Sequence, residues 1–233
     1  MNVEDNHTLH VLWKNHSILR RLTPDEINYL EELVEIRTYK RNEIIFSQGK
    51  RINGCYIVLS GIVKQFKTGM ESREYIFRLA KAYEILGFRS VLSEEPACNT
   101  SSVLEDCTVC YIRKECLYHL VTTNGNFAMD LLQVACRELE ESHSMITDMA
   151  QKSLKERLAE LLLMLRNKFG VNEQQQLNIS LSREDLSNMV GTAIESVIRL
   201  LSEFKNARYV AVKGRRIAIL DEKSLEKIAY LNK

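Results

Sequence analysis

Hydrophobic positions along this chain change their period twice. Between Leu22 and Val34 they recur at helical spacing, at Leu22, Ile27, Leu30 and Leu33. The start signal is Thr23-Pro24-Asp25-Glu26: a threonine cap, a proline in the first turn, then acids facing the helix dipole. From Ile36 to Leu120 the runs shorten. Glu43–Phe46, Cys55–Leu59, Ile62–Phe66, Glu74–Phe77 and Val109–Ile112 read as short strands, and Gly49, Gly61 and Gly69 as the turn residues around the first of them. Many short strands at this spacing predict a small barrel or roll, closed to protect its edges. From Asn124 the helical period returns. Leu132, Ala135, Leu139, Ser142, Ile146 and Met149 step by three and four residues, an a/d seam of nearly three heptads. Such a stripe meets its copy on a second chain or packs on its own domain; a long helix beside a roll favours the homodimer. A second amphipathic helix starts near Ser153, with Leu154, Leu158, Leu161, Leu162 and Leu165 on one face and Gly170 to cap its end. The change of apolar face puts a hinge at Ala150-Gln151-Lys152, where the sequence has no strong breaker.

The C-terminal third carries the most specific pattern. Ser182 to Gly191 reads as a short helix with Ser182 as N-cap, Asp185 three residues on, and glycine at its end. Thr192 to Leu201 starts another. Leu186, Met189, Val190, Val197, Leu200 and Leu201 fill the angle between them, and Gly191 permits the tight turn. This is helix-turn-helix spacing. Tyr209–Val212 and Arg216–Leu220 then alternate like strands around Lys213-Gly214-Arg215, a hairpin with a basic tip. Such a wing lies near phosphate while the second helix enters the major groove.

Composition bounds the rest. The chain has 233 residues, 45% hydrophobic and 27% charged, ordinary for a globular protein. Two prolines and nine glycines exclude long low-complexity stretches. No apolar run reaches the roughly 18–20 residues that span a bilayer. Met1–Ile18 lacks the apolar centre of a signal peptide. A cytosolic protein with six reduced cysteines is expected. The net charge of +1 predicts no nucleic-acid partner by itself, but Arg199, Lys205, Arg208, Lys213, Arg215 and Arg216 face only Glu203 over the same stretch. No metal-spaced His/Glu cluster, phosphate-cradling glycine loop or Gly-x-Ser-x-Gly elbow supports an enzyme.

Taken together these parts resemble the cyclic-AMP receptor/fumarate-nitrate regulator (Crp/Fnr) superfamily of transcription regulators, from about Ile18 to Ile228 and in family order. The family's recognition helix commonly carries Arg-Glu-Ser/Thr-Val-x-Arg. Here Ile194-Glu195-Ser196-Val197-Ile198-Arg199 keeps Glu195, Ser196, Val197 and Arg199, with Ile194 in place of the first arginine. The chemistry suits base reading: Arg199 can grip a guanine edge, Glu195 can accept from cytosine N4, and Ser196 reaches base or phosphate. Ile194 can touch only a thymine methyl, so a distinct operator is expected. The resemblance implies an α+β fold with a cyclic-nucleotide-binding-like β-roll sensor at 1–122, a dimerisation helix at 123–150 and a winged helix-turn-helix domain at 151–233. Ser182, Arg183, Thr192, Ile194, Glu195, Ser196, Arg199, Lys205, Lys213 and Arg215 are the candidate contacts to a pseudo-palindromic double-stranded DNA. The loop from Val171 to Leu177 falls where family activators contact RNA polymerase, but its composition is generic.

In the family the roll holds a small effector against the long helix. The cyclic-nucleotide version has Gly-Glu and, further on, Arg-Ser or Arg-Thr. This chain reads Gly87-Phe88-Arg89-Ser90 and then Ala97-Cys98, so the ribose glutamate is Phe88 and the phosphate arginine Ala97. A buried phosphate without a cation is costly, so cyclic AMP in the usual pose is not expected, and a different small effector is. Arg89 either supplies a relocated cation or points to solvent. The family's adenine-contacting pair falls near Ser142-His143; Ser142 fits a packing or register role better, and His143 an exposed one, although a haem remains open. No cysteine precedes Cys55, so the family's iron–sulfur arrangement is absent. Cys107 and Cys110, three apart on a strand, point to opposite faces and do not readily share a metal. Cys98 is the expected exposed thiol. The competing reading is an effector-independent regulator whose roll is only a scaffold.

Overall fold

The computed structural model describes residues 18–230, and its chain contacts form two compact units, Met1–Glu140 and Glu141–Lys233. The reading of Met1–Ile18, apart from Ile18 itself, lies outside the described residues.

In the first unit, helix α1 (Pro24–Leu33) begins at a capping box. The Thr23 hydroxyl accepts from the Glu26 amide at 3.3 Å, and the Glu26 carboxylate accepts from the Thr23 amide at 2.8 Å. Strands β1 (Glu35–Tyr39), β2 (Ile44–Phe46), β3 (Gly54–Thr68), β4 (Glu74–Ala80), β5 (Ile85–Leu86) and β6 (Thr100–Arg113) form one antiparallel sheet in the order β1-β6-β3-β4, with β2 on β6 and β5 on β3. Both faces of its central strands are buried, because side chains alternate across a strand. Tyr56, Val58, Cys107, Val109 and Tyr111 fill the inside of the roll. Cys55, Ile57, Cys110 and Ile112 face the other way, onto Leu30, Leu117, Leu120 and Phe127 from helices.

Three features differ from the expected pattern. Cys55–Leu59 and Ile62–Phe66 are one strand, not two: Gly61, at φ 82°, sits at a bulge in β3 rather than in a turn. Helix α2 (Phe88–Leu92) follows Gly87, whose φ of 79° turns the chain. Helix α3 (Lys114–Thr123) occupies the end of the stretch read as strands, and buries Cys116, Leu117 and Leu120. Its Tyr118, Val121, Thr122 and Thr123 favour strands by propensity, which hid it; packing overrides that preference.

Helix α4 (Gly125–Gln151) has 27 residues, a length of about 40 Å. Asn124 starts it, its side chain accepting from the Phe127 amide at 3.0 Å. Leu132, Leu139 and Ile146 stand 56, 55 and 66% exposed on it. Helix α4 stops where Ser153 caps α5 (Leu154–Phe169) with a second capping box, closed by Glu156. That cap is the breaker missing from the hinge reading.

In the second unit α5 buries Leu158, Leu161, Leu162 and Leu165 and ends at Gly170. Helices α6 (Arg183–Val190) and α7 (Ile194–Asn206), strands β7 (Val210–Lys213) and β8 (Arg216–Ile219), and helix α8 (Glu222–Ala229) complete it. Helix α8 packs on α5, where Arg166 pairs with Glu222. The loop 171–177 is ordered by local bonds: the Asn172 side chain accepts from the Gln174 and Gln176 amides, each at 3.0 Å. Gln176 then bridges to Ala218 of β8.

Candidate DNA-binding surface and sensor cleft

Ser182 caps α6 by accepting from the Asp185 amide at 2.9 Å, and the Asp185 carboxylate returns to the Ser182 amide at 3.0 Å. Gly191 ends α6 in the left-handed region, with φ 72° and ψ 52°. The flexible end of Met149 lies against this turn: a Cβ at Gly191 would lie 2.4 Å from Met149 Cε. Met149, placed in the seam by its spacing, therefore packs against the helix-turn-helix of its own chain.

Helix α7 begins at Ile194 with Ala193 as N-cap, two residues later than the expected start at Thr192. Its inner face buries Val197, Leu200, Leu201 and Phe204. Its outer face exposes Ile194, Glu195, Ile198, Arg199 and Lys205, while Ser196 and Thr192 are half-buried. Ile198, 48% exposed one turn after Ile194, was overlooked in the sequence. It follows the buried Val197 directly, and the exposure reveals it as a second apolar side chain on the outer face.

The hairpin of β7 and β8 pairs Lys213 with Arg216 and turns at Gly214, φ 60°, leaving Lys213 and Arg215 exposed. Arg183 is not free on the surface. Its guanidinium donates to the Gly214 carbonyl at 2.9 Å and ties α6 to the wing tip. Burial costs the guanidinium solvation and lowers its pKa.

The roll carries a small cleft, open at its mouth. Gly87, Phe88, Arg89, Ser90 and Cys98, expected at an effector pocket, line it. Ala97 does not: it is 2% exposed within the roll core, with its amide and carbonyl bonded to Lys50 and Gly49. Ser142 and His143 belong to the second unit, and His143 is exposed. Arg89 is bound rather than solvated, with Nε 3.3 Å from Glu138. The sequence reading missed Gln65, Arg78, Asn99 and Glu138 in this lining. Arg78 could have been noticed, because it interrupts the apolar run Tyr75-Ile76-Phe77…Leu79-Ala80.

Among the described residues no group of three or more His, Cys, Asp or Glu side chains is placed to hold a metal. Cys107 and Cys110 lie in the two opposite cores, as strand alternation requires. Burial pushes the Cys107 thiol up to about 11 and the Cys110 thiol to about 12. Cys98 is exposed, and so is Cys136. No helix among the described residues is long and apolar enough to cross a membrane.

Residues 36–124 match the cyclic nucleotide-binding domain family and residues 156–228 the Crp-like helix-turn-helix domain family. The chain is 28% identical over 203 residues to the transcriptional activator protein Anr of Pseudomonas protegens, covering 86% of this chain and 83% of that one. It is 24% identical over 215 residues to the fumarate and nitrate reduction regulatory protein of Vibrio cholerae, covering 91% and 86%. In fold it is similar to FixK2 from Bradyrhizobium japonicum, with a TM-score of 0.76 at 19% identity, over 84% of this chain and 97% of that one. The two sequence relatives are a transcriptional activator and a regulatory protein by name, not enzymes. With its roll, long helix and helix-turn-helix in this order, the chain belongs to the Crp/Fnr superfamily of transcription regulators.

Proposed function

We propose that this regulator acts in the cytosol as a homodimer on a pseudo-palindromic DNA site, under a small effector other than cyclic AMP bound in the β-roll. In this reading residues 1–122 are the sensor, 123–150 the dimerisation helix and 151–233 the DNA-binding domain. Helix α7 enters the major groove. Arg199 takes a guanine edge, Glu195 a cytosine amine, and Ile194 with Ile198 thymine methyls. Ser182, Thr192, Ser196, Lys205, Lys213 and Arg215 serve the backbone, and Arg183 positions the wing. The loop 171–177 is the candidate polymerase contact.

The observation that carries this reading is the split of α7: Val197, Leu200, Leu201 and Phe204 are sealed inside while Glu195 and Arg199 stand exposed. Selection of binding sites from random duplexes tests it, followed by titration of Arg199→Ala on the selected site. The variant should lose about 1–3 kcal/mol of specific binding and relax one base position. An equal loss on every sequence would make Arg199 a phosphate anchor.

A second reading, a roll that serves only as scaffold, has one observation in its favour. The cleft arginines already face carboxylates of the protein itself. A DNA affinity unchanged by any small molecule would support it.

A further inference from the structure

The cleft contains a charge cluster with its own anion in place. Arg78 on β4 has a side chain only 15% exposed; it donates to Glu84 at 2.9 Å and to Gln65 Oε1 at 3.3 Å, and pairs with Glu138 of α4. Arg89 of α2 meets the other Glu138 oxygen at 3.3 Å. The Glu138 carboxylate, 13% exposed, thus bridges guanidiniums from two separate elements of the roll. Beside it Asn99 is 5% exposed, and its Oδ1 has no hydrogen-bond partner among the described residues. Its side-chain N–H reaches the Cys98 sulfur, at 3.7 Å. A buried acceptor left unmade is costly, and calls for a donor from whatever fills the cleft.

We propose that the cleft takes a small oxyanion bearing an O–H group, a hydrogen phosphate or a phosphate monoester with a hydroxyl on its carbon skeleton, in exchange for the Glu138 carboxylate. The proposal rests on the effector reading above and gives that effector its chemistry. A carboxylate held between two guanidiniums is a stand-in for such an oxyanion, since both present paired acceptors to the same donors. The guanidiniums come from β4 and α2, not from position 97, which is sealed in the core. If Glu138 stayed, a second anion would leave these two arginines facing three anionic groups in a poorly solvated site. Anion entry and Glu138 release are therefore linked, and each weakens the other's hold on the arginines. The ligand's O–H donates to Asn99 Oδ1. Sulfate, fully ionised at neutral pH, has no such proton. Glu138 is adjacent to Leu139 on α4, so the exchange frees the middle of the helix that carries the exposed apolar seam.

Calorimetric titration of the full chain in chloride buffer, with no DNA present, tests this. The probes are inorganic phosphate, ribose 5-phosphate and sulfate. Either phosphate should bind, and the tighter of the two identifies the natural form, free anion or monoester. Sulfate should bind at least roughly ten-fold more weakly. Glu138→Gln should tighten phosphate roughly ten-fold by removing the competitor. Asn99→Leu should bring phosphate and sulfate to similar affinities. Arg89→Gln, at a side chain 45% exposed and so tolerant of change, should abolish binding. Binding of neither phosphate to the wild type or to Glu138→Gln would overturn the proposal. So would phosphate affinity unaffected by Glu138→Gln, or sulfate equal to phosphate in the wild type. Failure of the protein to bind any DNA would sink the regulator reading while leaving this site standing.

Discussion

Gly49 and Gly61 separate backbone strain from packing. Both sit at positive φ, 78° and 82°. A Cβ at Gly49 would meet nothing within 4 Å, whereas at Gly61 it would lie 2.3 Å from the Asp106 carbonyl and 2.8 Å from that of Glu105. Gly49→Ala should therefore cost about 1–2 kcal/mol, the left-handed penalty alone. Gly61→Ala should cost more than about 4 kcal/mol, because the clash is with backbone. Urea unfolding of the two variants checks this, and equal losses would mean that the bulge relaxes. The thiols give a second residue-scale prediction. Cys55, Cys107, Cys110 and Cys116 are buried and their pKa values raised by desolvation. At pH 8 an alkylating reagent should mark Cys98 and Cys136 in the native protein and the other four only after unfolding. The linkage has a definite sign. Below pH 9 these thiols are neutral in both states and their burial costs nothing electrostatic. As pH rises through 9 towards the native values of about 11 and 12, the unfolded chain ionises first. Stability should then fall, by on the order of 1–3 kcal/mol for each such thiol. A urea midpoint constant from pH 8 to 11 would contradict it.

At the scale of elements, start signals were the most legible feature. Thr23-Pro24-Asp25-Glu26 and Ser182 with Asp185 each close as capping boxes, because caps are local chemistry written in three or four residues. What escaped the sequence was decided by contacts distant along the chain. Helix α3 has strand-forming residues at its end, yet the Thr122 and Thr123 hydroxyls bond back to the His119 carbonyl and Leu117 and Leu120 are buried. Arg78 and Glu138 lie 60 residues apart, a pairing that no local pattern encodes. Helix α7 was readable because its motif is contiguous; the cleft was half readable because only its α2 side is. The long helix carries its own prediction. Leu132, Leu139 and Ile146 repeat at seven residues and stand exposed in the single chain. Burying one leucine is worth about 1.5–3 kcal/mol, so Leu139→Glu should turn a dimer into a monomer in sedimentation at micromolar concentration. Helix content should stay unchanged by circular dichroism. A dimer that survives Leu139→Glu would put the interface elsewhere.

At the scale of the whole molecule, charge placement matters more than charge total. The net charge is only +1, yet Lys205, Lys213 and Arg215 stand exposed on α7 and the wing with Arg199. If these three serve phosphates in each protomer, a dimer neutralises six. The slope of log affinity against log salt is then about −5. Between 50 and 200 mM salt the affinity should fall by roughly 10³. Arg215→Ala should reduce the magnitude of the slope by about 2 for the dimer and weaken all sequences alike, since phosphate carries no sequence. Arg199→Ala should leave most of the slope and lose one base position instead. Filter binding of both variants across the salt series distinguishes the two roles. A slope near zero for the wild type would mean that the exposed cations do not meet DNA, and that the basic hairpin is a solvated edge of the fold. A steep slope surviving Arg215→Ala unchanged would move the phosphate contacts from the wing tip to Lys205 and the start of α6. There Arg183, already spent on the Gly214 carbonyl, would have to let go of the wing before it could reach the DNA.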